Sequence, residues 1–94
     1  MRHALRVDDC QEEVVKALRA CGVKVYICGR PLDLLCAVRR KDGRWDTVLV
    51  ECKDDDGRFT KPQTEFMGEW PGTIHVVRSP SEAVAAVLGE QAMR

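Results

Sequence analysis

VLVECKDDDGRFTKPQ, Val48 to Gln63, begins as an apolar strand and ends with Glu51 and Lys53. Side chains two positions apart on a strand leave the same face, so this carboxylate and this ammonium emerge side by side. Such a pair is either an ordinary solvated ion pair or a metal ligand beside a lysine that contacts phosphate. The rest of the chain has to decide between them.

The chain has 94 residues, enough for one domain with a modest core. Charged residues make up 32% of it, and Lys+Arg and Asp+Glu both stand at 15, for a formal net charge of zero. That balance excludes a general polyanion binder, so any nucleic-acid contact must come from a local basic patch. The five cysteines, Cys10, Cys21, Cys28, Cys36 and Cys52, form no CxxC pair and lie in apolar patterns. They read as buried free thiols of a reducing compartment rather than a disulfide framework or a zinc site. Asp8 and Asp9 precede any apolar run, which argues against a signal peptide. The apolar stretches are far short of a membrane span, so a cytoplasmic protein without membrane contact is expected.

Asp8 or Asp9 is placed to cap a first helix that runs to about Ala20, with acids early in it and Gly22 as its stop. Cys10, Val14, Ala17, Leu18 and Cys21 fall into one stripe, the expected core face. Strands are expected over Val23–Cys28, Leu32–Val38 and Trp45–Lys53, the last two joined by the Lys41-Asp42-Gly43 turn. After the Asp54–Gly57 loop, Thr60 and Pro62 start a second helix that ends near Trp70. Thr73–Arg78 is a fourth strand, and Ser79-Pro80-Ser81-Glu82 opens a last helix. The order is αβββαβα, an α/β sandwich whose first three strands form an antiparallel meander.

With the hairpin centred on Asp42, Asp33 and Glu51 become cross-strand neighbours, their Cβ atoms roughly 5 Å apart. Carboxylates that close repel unless a proton or a cation lies between them, and a slip of one residue would send one of them to the other face. On the first helix Glu12 points away from the apolar stripe, whereas Glu13 sits on its edge and can lean toward the sheet. Carboxylates from Glu13, Asp33 and Glu51 gathered beside a lysine suit a hard divalent cation such as Mg²⁺. The chemistry needing that set is metal-assisted phosphodiester hydrolysis, with the lysine orienting water or offsetting developing charge.

Asp33 followed by Glu51-Cys52-Lys53 resembles the D…E-x-K core of the PD-(D/E)XK nucleases. Gln11–Arg19 leading to Gly22, Leu32–Leu35, Val50–Lys53, Thr60–Gln63 with Phe66 and Trp70 behind it, and Val76–Ser79 followed by Glu82-Ala83 are similar to the small, phage-type stand-alone VRR-NUC domains of that superfamily. The likeness covers residues 8–88 of a single domain. It implies a restriction-endonuclease-like core with helices on the faces of a mixed sheet. Glu13, Asp33 and Glu51 would be metal-binding carboxylates, with the Cys52 main-chain carbonyl as a further ligand. Lys53 would be catalytic, and Gln63 would help hold the site. The implied cofactor is Mg²⁺ or Mn²⁺, and the implied activity is that of a homodimeric endonuclease acting on branched, flapped or junction DNA in a bacterial cytoplasm.

Two features depart from the family pattern. Pro31 is separated from Asp33 by Leu32, and the Asp54-Asp55-Asp56 run opposes tight approach of a phosphate backbone. Each residue also has a plainer account: Gln63 as the last member of a capping box with Thr60, Asp33 as a turn cap after Gly29-Arg30-Pro31, and Glu13 as a surface acid. Arg58 and Lys61 are placed to steer DNA in, while Arg39, Arg40, Lys41 and Arg44 at the hairpin tip either touch phosphate at a distance or solubilise the turn. Trp45, Phe59, Phe66 and Trp70 are the large apolar groups available to a dimer interface. The rival readings are a catalytically silent nucleic-acid-binding or assembly module with the same fold, and an RNA-directed nuclease.

Overall fold

Burial alternates residue by residue along Leu34–Arg39, with Leu34, Cys36 and Val38 buried and Leu35 and Arg39 exposed. A strand with one covered face produces this pattern, and it sets the layers of the molecule. The computed structural model describes residues 10–54 and 57–89. They form α1 (Cys10–Ala20), β1 (Lys24–Ile27), β2 (Leu34–Arg39), β3 (Trp45–Cys52), α2 (Lys61–Glu69), β4 (Ile74–Val77) and α3 (Pro80–Leu88). The four strands make one mixed sheet in the order β1-β2-β3-β4, antiparallel except for the parallel β3–β4 pair. A parallel pair needs a crossover, and α2 supplies it.

The core lies on one face of this sheet. Val14, Val15 and Leu18 of α1, with Ala83 and Val87 of α3, pack over Leu34, Cys36, Val38, Val48, Val50, Cys52 and Val77. The first-helix stripe is corrected at two positions: Val15 is buried and Cys21 is exposed. Cys21 falls past the last turn of α1, where Gly22 at φ +87° redirects the chain. Cys28 is exposed as well, so burial of the thiols holds for Cys36 and Cys52 and in part for Cys10. The proposed caps Asp8 and Asp9 lie outside the described residues. No helix among the described residues is long and apolar enough to cross a membrane.

The hairpin has the expected register. Leu34 pairs with Val50 and Arg39 with Trp45 about a turn in which Gly43 adopts φ +88°. The second strand begins two residues later than expected, at Leu34. The cause is Asp33. Its carbonyl accepts from both the Cys28 and the Gly29 N–H, and its own N–H donates to a side chain, that of Glu51, in place of a ladder carbonyl.

Candidate active site

On β3, alternation sends Val48, Val50 and Cys52 toward the helices and Leu49 and Glu51 to the opposite face, with Lys53 next in that row. Glu51 is nevertheless only 2% exposed. A carboxylate that deep is costly without partners, and it has several. Oε1 accepts from the Asp33 N–H at 3.0 Å, and Oε2 accepts from Gln63 Nε2 at 2.8 Å and faces Lys53 Nζ at 3.3 Å. The solvated-pair reading of Glu51 and Lys53 is thereby corrected, since the side chain of Lys53 is 10% exposed.

Asp33 answers across the strand gap. Its Oδ2 accepts from the Cys52 N–H at 2.9 Å, so each carboxylate binds the other strand's backbone at the point where β2 and β3 part. The Leu49 and Lys53 N–H groups point to β4, and the alternate residue Cys52 therefore turns its N–H and its carbonyl toward Asp33. Burial, followed by the neighbouring Cys10, Asp33 and Glu51, pushes the Cys52 thiol up, which keeps it neutral beside these acids.

Lys53 is held on three sides. Its Nζ donates to the Arg58 carbonyl at 2.9 Å, meets Glu51, and lies 5.0 Å from the centroid of the Phe59 ring. Phe59, expected only as an interface group, thus forms part of the lysine's pocket. Gly57 makes room for it: a Cβ there would stand 2.9 Å from Lys53 Cδ.

Gln63 serves both of its expected roles at once. Its Oε1 accepts from the Thr60 N–H while its own N–H donates to Thr60 Oγ1, completing a capping box, and its Nε2 reaches Glu51. Beside it opens a cleft of about 620 Å³ lined by Gly29, Arg30, Pro31, Thr60, Pro62 and Gln63. Arg30 was not singled out from the sequence; only its position between Gly29 and Pro31, just before Asp33, hinted at it.

Glu13 is exposed in the first turn of α1. Among the described residues, no group of three or more His, Cys, Asp or Glu side chains is placed to hold a metal ion. Arg58 and Lys61 are exposed near the site. At the hairpin tip Arg40 has a structural role, pairing with Asp46 at 3.1 Å and donating to the Val87 carbonyl at the end of α3 at 2.9 Å. No family model matches the chain, and no curated protein or solved structure matches it significantly.

Proposed function

We propose that the protein is a metal-dependent endonuclease that hydrolyses DNA phosphodiester bonds and selects branched, flapped or junction DNA by structure. The observation that carries this reading is the buried Glu51–Lys53 pair facing Asp33 where β2 and β3 separate. Such a polar set is a costly thing to keep in so small a domain, and Gln63, which binds Glu51, also lines a cleft that carries Arg30. The αβββαβα order and the hairpin register, in which Leu34 pairs with Val50 next to Asp33 and Glu51, agree with the sequence reading on which the proposal also draws.

Asp33, Glu51 and the Cys52 carbonyl are hard oxygen donors at one gap between strands, a set that fits Mg²⁺ or Mn²⁺ completed by water. When bound, the ion would supply Lewis-acid polarisation of the phosphate and acidify a water. Glu13 of α1 is the third carboxylate ligand that the resemblance implies. Lys53, held by Glu51 and the Arg58 carbonyl, is oriented to offset charge developing on the phosphate or to position the attacking water. Gln63 fixes the Glu51 carboxylate from α2, and Arg30, Arg58 and Lys61 supply positive charge around the cleft. A homodimer, as the resemblance implies, would find exposed apolar surface at Trp70, which stacks on Phe66.

The second reading is a catalytically silent nucleic-acid-binding module. It is favoured by the completeness of the network, in which Lys53 and Glu51 satisfy one another much as a structural ion pair does. The two are separated by incubating labelled duplex, single-stranded, flapped and four-way-junction DNA with Mg²⁺, Mn²⁺ or EDTA, with Lys53→Ala and Asp33→Ala in parallel. Metal-dependent cleavage that both substitutions abolish is expected. DNA binding by the intact protein without cleavage of any substrate would establish the silent module instead.

A further inference from the structure

The face of the sheet opposite α1 and α3 is only half covered. Near β4 it is closed, with Leu49 8% exposed, but toward β1 and the hairpin it is open: Tyr26 is 68%, Trp45 49% and Leu35 39% exposed. Alternation and register place these side chains on one surface. Tyr26 stands beside Leu35, Lys24 beside Ala37 and Thr47, and Arg39 beside Trp45. A shallow hollow of about 260 Å³ lies among Lys24, Tyr26, Leu35 and Thr47. An unpartnered sheet face with two exposed aromatic rings calls for an occupant.

Charge selects among occupants. The charged side chains of this open part are Lys24 and Arg39, and no carboxylate of the described residues stands among them, since Asp46 belongs to the covered face and pairs with Arg40. A second copy docked here about a two-fold axis would bring this positively charged surface against itself, an unfavourable pairing. A strand of nucleic acid brings phosphates for the cations and bases for the rings. The open part leads toward the candidate site along β1, while on β3 the closed position of Leu49 comes between. β1 passes from Tyr26 into Gly29–Pro31, which line the cleft beside Gln63, and Trp45 lies in the same row of β3 as Glu51 and Lys53, about 20 Å from Glu51 at ~3.3 Å per residue.

We propose that this open face binds an unpaired DNA strand, with Tyr26 and Trp45 stacking under bases and Lys24 and Arg39 holding phosphates, and delivers it to the cleft beside Glu51 and Lys53. The inference rests on the nuclease reading for its DNA partner and deepens it: the single-stranded arm of a flapped or branched substrate is the part gripped. Binding itself requires no cleavage.

The test is fluorescence anisotropy of the full chain in EDTA with labelled oligo-dT and with duplex DNA of equal length, for the wild type, Trp45→Leu, Tyr26→Ser and Arg39→Gln. Each aromatic substitution is expected to weaken oligo-dT binding about fivefold or more and duplex binding less, because one stacked base is lost. Arg39→Gln should flatten the dependence of log affinity on log salt by about 0.7. It removes no packed apolar surface and so remains decisive if Trp45→Leu fails to fold. Affinities within about twofold of wild type for all three would overturn the proposal, as would a dimer in sedimentation that Trp45→Leu converts to folded monomers. If the wild type binds oligo-dT in the expected way but cuts nothing in Mg²⁺, the nuclease reading fails and this one stands. Metal-dependent cleavage with oligo-dT binding indifferent to all three substitutions does the opposite, sustaining the nuclease reading and overturning this one.

Discussion

The side-chain amide of Gln63 is divided between two tasks: its nitrogen donates to Glu51 at 2.8 Å, and its oxygen accepts from the Thr60 N–H at 3.1 Å. A capping box accepts glutamate as readily as glutamine at this position, but only glutamine can also donate to a carboxylate. Gln63→Glu therefore preserves the cap and sets two carboxylates against each other. It is expected to destabilise the fold by about 2 kcal/mol, measured by urea denaturation. A neutral or stabilising result would reduce Gln63 to a helix cap.

Lys53 and Glu51 form a pair whose side chains are 10% and 2% exposed. Removing one partner leaves the other buried and uncompensated, so Lys53→Met should cost about 3 kcal/mol. Lys53→Met combined with Glu51→Gln, which removes both charges and keeps an acceptor for the Asp33 N–H but sets its amide nitrogen against Gln63 Nε2, should recover part of that loss. Under the nuclease reading the double variant regains stability without regaining cleavage. Recovery of both would contradict a chemical role for the pair.

Arg40 sits in the basic cluster of the hairpin tip, yet it is tied to Asp46 and to the Val87 carbonyl. A guanidinium at a helix C-terminus also complements the helix dipole. Arg40→Gln is expected to lower unfolding free energy by about 1 kcal/mol and to leave DNA affinity within about twofold. A large loss of affinity at unchanged stability would return Arg40 to the phosphate-contacting role.

What the sequence disclosed follows from where local chemistry is strong. The Lys41-Asp42-Gly43 turn, the Thr60 and Ser79 caps and the alternation of β2 are short-range signals, and the hairpin register that brings Asp33 to Glu51 follows from the turn alone. Burial of Lys53 was not legible, because it depends on Phe59, Gly57 and the Arg58 carbonyl folding back from the loop beyond it. The open face was hidden for a similar reason. Tyr26 and Leu35 are apolar strand residues, and which half of a sheet face is covered is a tertiary property that strand alternation does not carry. Glu13 shows the converse: helix periodicity placed it at the edge of the stripe, but periodicity carries no information on whether its carboxylate reaches the sheet.

Burial, with a lesser contribution from Cys28, pushes the Cys36 thiol up to about 11 from an ordinary value of 9.0. Between those values the unfolded chain has lost this proton and the folded chain keeps it, so stability falls as pH rises. Its contribution is fully present below pH 9 and is lost on rising through pH 11. Cys36→Ala lowers the absolute stability but should flatten the decline across this window, as read by urea midpoints at a series of pH values. An unchanged slope would show that Cys36 ionises as freely in the fold as outside it.

Gly57 offers a way to disturb Lys53 without touching its charge. Its backbone passes so near that an added Cβ would lie 2.9 Å from Lys53 Cδ and 3.1 Å from the Asp54 carbonyl oxygen. One contact is with a flexible side chain that can move, and the other is with backbone that resists, so the lysine is the group that shifts. Gly57→Ala should therefore displace Nζ from the Arg58 carbonyl and Glu51 at a stability cost of about 1 kcal/mol. If Lys53 acts on the phosphate, the single-turnover cleavage rate at saturating DNA should fall about tenfold or more, since a small misplacement of a catalytic group is expensive, while DNA affinity holds. Full activity in a folded Gly57→Ala protein would mean that the position of Lys53 does not matter to the reaction.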